Sequence, residues 1–587
     1  MLIAIALLLA LPQATDGAQE PAVKETVLVT ATTTPESLQH IGRTVVVLTG
    51  DELRHLPVVS IADALRLASS VDVRARGARG VQSDLTIRGA GFGQTLVLVD
   101  GIRLNDAQSG HHNGDIPVPL QDVERIEVLL GAGSSLHGAD ATGGTVNVIT
   151  RRDRRAAFVD VAAGQHELIE SSATGSLSAG GVLHVISGEL SRSDGFMTAR
   201  DHRVVSGRYQ AVFGPSTTAT LGVADKVFGA NGFYGPSPSR EWTDQWLATV
   251  QHRLARSNRW QAVGDMSYRT HGDRFVYDER NPALSDNRHR TQAVAANVRW
   301  HATASDRTEI SIAASGGHDA IESSNLGDRS FSRGSAGVEL RQTLGSRVVL
   351  HPGLRVDSYT RFGTSWSPAV AVSGWLSPRV RVRASAGHAF RVPTFTELFY
   401  VDPNHQAAGA LEPETAWSSE TGVDVYGGSW TIGSSVFARW EDNVIDWVRP
   451  STAVRWRTAN IRDVQTQGVE LSGQRRLRAG HIRLQYTWLT SEAPALDLLS
   501  KYVLDYAQHS VAASASREIK HVGVGGRVDW KRRLDGRRYW TFDAQVSRAL
   551  GRVDLYAQAA NLFDERYQEI RGVDMPGRWV KVGLRVK

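Results

Sequence analysis

The chain has 587 residues, 41% of them hydrophobic and 22% charged, with a formal net charge of +5 and no cysteine. Disulfides and thiolate metal sites are therefore excluded, and the small, evenly spread charge offers no basic tract for nucleic acid. No stretch reaches the roughly 20 apolar residues of a membrane-spanning helix, but a membrane β-barrel stays open because its alternating strands keep mean hydropathy low.

Residues 1–18, "MLIAIALLLALPQATDGA", have an apolar core from Leu2 to Leu11 followed by small and polar residues. This pattern reads as a secretory signal peptide, although no Lys or Arg precedes Lys24. Residues 19–39 contain "ETVLVTATTTPES", Glu25 to Ser37, a Thr- and Val-rich strand former that is cut off at once, with no evident hairpin partner.

Residues 40–152 mix two patterns. "GDELRHLPVVSIADALRLASSV" predicts a helical stretch capped by Asp51, with Leu53, Leu56, Ile61, Ala64, Leu65 and Ala68 at roughly helical spacing. Short strands follow in "DLTIRG", "TLVLVDGIRL", "VERIEVLLG" and "GTVNVIT"; the near-continuous apolar run of "TLVLVDG" predicts a strand covered on both faces. The region reads as a small α+β domain.

Residues 153–587 keep one grammar. "HIRLQYTWLT" sets Ile482, Leu484, Tyr486 and Trp488 against His481, Arg483, Gln485 and Thr487, and "WTFDAQVS" repeats the pattern. Period-two alternation gives each strand one apolar and one polar face. A stack of soluble sandwiches would alternate too, but an unbroken segment of this length exceeds a sandwich domain. Trp and Tyr near strand ends and an Arg-, Asp-, Gln- and Thr-rich polar face suit a membrane barrel around a wet lumen. At about 10 residues per strand and as many per loop, the expectation is a large antiparallel transmembrane barrel of about 22 strands. Barrels of that width carry a plug, and the α+β domain has the bulk to be one.

The segments "ETVLVTA", "DLTIRGAG", "TLVLVDGIRLND", "HHNGDIPVPLQDVERIEVLLGAGSSLHGADATGGTVNVIT" and "NLFDERYQEIRGVDMPGRWVKVGLRVK" resemble TonB-dependent outer-membrane receptors over nearly the whole chain after the leader. The resemblance implies a monomer in the outer membrane of a Gram-negative-type cell, whose plug is remodelled when TonB pulls on it. Thr26, Val27, Leu28, Val29, Thr30 and Ala31 would be the TonB box, gripped by the TonB C-terminal domain through β-augmentation. Arg88 and Arg125 of the plug would face Glu420 and Glu470 of the barrel. Ala132 stands where the family commonly has Pro, and His137 where Tyr is common.

Ligand contacts are expected from the outward plug loops, at Gly91, Phe92, Gln94, Asn105, Asp106, Gln108, His111, His112 and Asn113. On the barrel, Phe233 and Tyr234 are candidates that would serve equally as lipid-girdle residues. Adjacent histidines on a loop rarely chelate without further ligands, so neither a metal site nor a cofactor is assigned. With no GxSxG, HExxH or P-loop, catalysis is not expected.

Chain length, short loops and "RWEDNVIDWV" are similar to the cobalamin-receptor branch, with ferric siderophores as the alternative and a passive porin-like barrel behind both. Family members commonly end in an aromatic residue that the barrel-assembly machinery recognises. The lipid-facing row here is Val580, Val582, Leu584 and Val586, and the chain stops at Lys587.

Overall fold

The computed structural model describes residues 28–29 and 36–587, apart from 154–156, 462, 494–497 and 504. The signal peptide and Thr26, Val27, Thr30 and Ala31 lie outside the described residues. Leu28–Val29 does find a partner, contrary to the unpaired strand expected: it pairs antiparallel with Glu36–Ser37, Leu28 opposite Ser37.

The plug is built on a five-stranded sheet in the order Val45–Thr49, Val123–Leu130, Gly144–Thr150, Thr95–Val99, Ile102–Arg103. Thr95–Val99 runs parallel to Gly144–Thr150 and is buried along its whole length, as its unbroken apolar run requires. A two-stranded ladder, Val71–Ala75 with Ser83–Ile87, stands beside it. The expected single helical stretch is instead two short helices, Gly50–Arg54 and Ile61–Leu65. Pro57 lies between them, where its ring and missing N–H break the ladder. The caps are Thr49 and Ser60, whose side chains accept from Glu52 N and Asp63 N, and not Asp51, which sits in the first turn. Leu48, Leu53, Leu56, Ile61, Leu65, Leu85, Ile126 and Val146 close a continuous apolar core between helices and sheet.

Among the described residues, twenty-two antiparallel strands close into a barrel. The first, Phe158–Gly164, pairs with the last, Trp579–Val586, so no edge is left open. The alternation decides which side faces what. Leu484 is 55% exposed on the outer face while its neighbour Gln485 is 5% exposed inside, and Trp540 and Val546 lie outward while Asp543 is buried. The apolar row meets lipid and the polar row meets the plug.

One mouth carries tight turns, such as Gly180–Gly181 between Leu168–Ala179 and Val182–Ser193. The other carries the long connections, including a hairpin of Val444–Arg449 with Trp456–Ile461. Glycines let plug and wall touch backbone to backbone: a Cβ on Gly525 would collide with the carbonyl of His55, and one on Gly42 with the backbone of Val372.

Candidate functional site

Arg88 leaves the strand Ser83–Ile87 with a φ of 51°, a left-handed turn completed by Gly89 at 70°. That turn carries its guanidinium out of the plug sheet to the wall. Nε and Nη2 form a fork on Glu470 at 2.9 and 2.7 Å, and Nη1 donates to Glu420 at 2.9 Å. Phe437 supports the guanidinium from below, 4.2 Å from ring centroid to Cζ. Burial by itself would lower the Arg88 pKa; the two carboxylates reverse this and raise it. Glu420 also accepts from Thr44, at 2.7 Å from the amide and 3.0 Å from the hydroxyl. The pair therefore ties two separate points of the plug to the two barrel strands that flank Trp430–Asp442.

Arg125 is not part of this clamp. It pairs with Glu124 and Glu127 of its own strand, each at 2.7 Å, and lines a cavity of about 510 Å³ between plug and wall, together with Arg103, Arg299 and Arg355. One arginine serves both glutamates because its fork spans two acceptors at once. Arg43 on Glu339, Arg66 on Glu569 and Arg74 on Asp505 repeat this polarity, while other anchors run the opposite way, plug carboxylate to barrel cation. Glu36 meets Arg341 at 2.6 Å and His351 at 2.8 Å, Glu52 forks onto Arg483 at 3.0 Å, Asp72 joins Lys531 and Arg533, and Asp106 meets Arg269 at 2.7 Å. Sequence reasoning missed these, because isolated acidic residues spread over the plug form no motif.

At the mouth with the long loops, the outward plug segments meet the loop tips. Phe92 stacks on His111 with centroids 4.2 Å apart, and Tyr502 stands edge-on to Phe92 at 5.2 Å. Beyond them the loops carry Trp447, Trp456 and Tyr400. Lys501 lies 2.9 Å from His405 and 5.2 Å from the Tyr502 ring, and Arg449 covers Trp456 at 4.2 Å. Asp446 knits these loops together, accepting from the amides of Trp447 and Tyr502 and from the Ser500 hydroxyl. The result is a mouth walled by aromatic faces and cations.

The expected contact residues divide into two groups. Gly91, Phe92, His111 and Tyr234 remain partly or well exposed at this mouth. Gln94, Asn105, Asp106, Gln108, His112 and Asn113 are buried and occupied internally. Gln94 donates to Glu414 and Glu441, Asn105 bridges Val97 and Thr95, Gln108 donates to Asp273, and Asn113 accepts from Asp106 N. Phe233 is likewise packed with Val81, Phe228 and Val573 rather than offered to a ligand. Gln94, Asp106 and Gln108 fasten the plug apex to the wall while Asn105 and Asn113 brace it from within, so a ligand on the surface meets what they support and not the residues themselves.

Residues 188–567 match the model of the TonB dependent receptor-like β-barrel, and residues 37–145 that of the TonB-dependent receptor plug domain. The chain belongs to the TonB-dependent receptors. Among curated relatives, the vitamin B12 transporter BtuB of Vibrio vulnificus (strain YJ016) is 24% identical over 94% of this chain and 92% of its own. The iron-regulated outer membrane virulence protein of Vibrio cholerae (El Tor Inaba N16961) is 24% identical over 84% and 82%. The solved siderophore receptor PirA of Acinetobacter baumannii superposes with a TM-score of 0.75 at 16% identity, covering 93% of this chain and 98% of that one. At that identity the likeness is one of fold. Receptors of this family lie in the outer membrane of Gram-negative bacteria, so the barrel crosses that membrane. The mouth beside Thr44 and Glu52 then faces the periplasm, and the aromatic mouth faces outward.

Proposed function

We propose that this receptor imports cobalamin, held at the outer mouth against Phe92, His111 and Tyr502 and released when TonB draws on the box at Thr26–Ala31. The observation that carries the ligand is the alignment with a vitamin B12 transporter along 94% of the chain. The mouth suits a large, flat, partly apolar ring, because stacked aromatic faces bind such a surface without demanding one fixed hydrogen-bond pattern.

Release follows from the order of attachments along the chain. A pull on the box loads the Leu28–Val29 pairing with Glu36–Ser37 first, then Glu36 on Arg341 and His351, then Thr44 on Glu420, where Arg88 is also held. Freeing Thr44 and Arg88 leaves the outward loops without their inner support, and the ligand loses its floor.

A ferric siderophore is the second reading. It is favoured by Lys501 and Arg449 on the aromatic wall, which would attract an anionic chelate. Calorimetry on the refolded receptor, with cobalamin and a ferric siderophore in parallel, tests the choice. Heat is expected with cobalamin, with affinity falling about 10-fold or more in Phe92→Ala and Tyr502→Ala. Heat from the siderophore alone would replace the ligand.

A further inference from the structure

We infer that plug and barrel together build a site for a divalent transition-metal ion of the zinc class, from His112, Asp115 and His271. His112 ends the short turn Gly110–His112 near the outer end of the plug, and Asp115 follows three residues later. His271 comes across from the barrel strand Trp260–Val276. All three are buried, and their ligand atoms lie within 4.8 Å of one another. His112 Nδ1 and His271 Nε2 approach the same Oδ2 of Asp115, at 3.7 and 3.2 Å.

The far nitrogens distinguish this cluster from an ordinary polar contact. His112 Nε2 faces Asp273 Oδ2 at 3.5 Å, and His271 Nδ1 faces Asp106 Oδ2 at 3.4 Å. Those carboxylates are themselves held: Asp273 by the Gln108 amide at 2.8 Å, Asp106 by Arg269 at 2.7 Å and by Thr291 at 2.8 Å. A carboxylate behind each imidazole is how a metal-binding histidine is fixed in tautomer and orientation. When each imidazole turns its N–H to the carboxylate behind it, the nitrogen facing Asp115 presents the lone pair that a metal ion takes.

Charge and chemistry select the ion. Lys226 on Asp115 Oδ1 and Arg269 on Asp106 balance two carboxylates. Asp273 adds a third carboxylate, behind His112. Two imidazoles and one carboxylate suit zinc rather than calcium or magnesium, and three protein ligands leave a fourth position open. Bonds of about 2.0–2.1 Å put tetrahedral ligands about 3.4 Å apart. No pair lying within 4.8 Å need close by more than about 1.4 Å on binding, a side-chain movement. Once bound, the ion would rivet the outer end of the plug to the wall.

The test uses the untagged full-length receptor, stripped with a chelator and exposed to Zn²⁺ alone. Crystals are expected to show an anomalous zinc peak between His112 Nδ1, His271 Nε2 and Asp115 Oδ2. In titrations, Asp273→Asn, which keeps all three ligands, should weaken the site about 10- to 100-fold, and His271→Gln should abolish it. Heat-modifiable migration on gels verifies that each variant barrel is folded. Absence of the peak from this position in the wild-type crystal overturns the proposal even if a variant fails to fold. So does a zinc affinity that both substitutions leave unchanged.

Discussion

The interior of the plug and its border with the barrel are made of opposite materials. Inside, Leu48, Leu65, Ile87, Ile126, Val146 and Val148 are almost wholly removed from solvent, packed between two short helices and the sheet. At the border, contact is carried by Arg88, Glu36, Glu52, Asp72 and Asp106 on barrel groups of opposite charge. Apolar burial is non-directional and keeps the plug together as one body. Ion pairs are directional and local: each breaks separately, and water entering the lumen can solvate the freed groups. A body with an apolar core in a charged sleeve can be pulled and shifted without first losing its own fold. An apolar border would have welded it in place.

That contrast can be broken at its border most sharply. Arg88→Ala leaves Glu470 buried without its cation and Glu420 with only Arg383 at 3.8 Å, which costs about 3–5 kcal/mol. Hydrogen exchange of plug peptides should rise accordingly, and combining Arg88→Met with Glu420→Gln and Glu470→Gln should restore much of the protection. If Arg88→Ala leaves exchange unchanged, the clamp is not what retains the plug.

Breaking the interior should act differently. Ile126→Ala opens a cavity in the core at about 2–5 kcal/mol. Exchange should then rise throughout the sheet, while ligand-free plug retention in the barrel, read by protease access at the periplasmic mouth, changes less than in Arg88→Ala.

Acidification should loosen the border through His137. Burial, with Arg355, Arg43 and Arg299 around it, pushes its imidazole down to about 3. A depressed histidine means that the unfolded chain binds the extra proton between about pH 6.5 and 3, so plug stability falls as pH drops through that window and levels off below it. One such group contributes at most about 1.4 kcal/mol per pH unit, reduced by the water His137 still meets. The pH slope of plug exchange should flatten in His137→Tyr.

The smallest effect is expected at Arg125, whose partners lie on its own strand and whose side chain is partly exposed. Arg125→Ala should cost under about 1 kcal/mol. A loss as large as that of Arg88→Ala would restore Arg125 to the clamp.

Much of this was legible in the chain. Alternation such as Ile482 to Trp488 needs no tertiary knowledge, because a strand exposes successive side chains to opposite faces, and from it came the barrel and a strand number near 22. "IRG" led to Arg88 through its resemblance to the family's plug motif, not through any local rule. Arg125 misled for the opposite reason: its motif is equally intact, yet the strand Val123–Leu130 directs it to Glu124 and Glu127. The single long helix misled because apolar spacing continues across Pro57, while the hydrogen-bond ladder does not.

The sequence by itself determined local geometry and burial preference: which segments extend, which face is apolar, where a cap or glycine turn belongs. These follow from propensity and period, properties of neighbours along the chain. Only the tertiary structure decided the pairings, such as Arg88 with residues more than 330 positions away, His271 behind Asp115, and Lys501 and Tyr502 beside Phe92. A charge in a wet lumen can be satisfied by any opposite charge within reach, and reach is set by how the barrel closes around the plug.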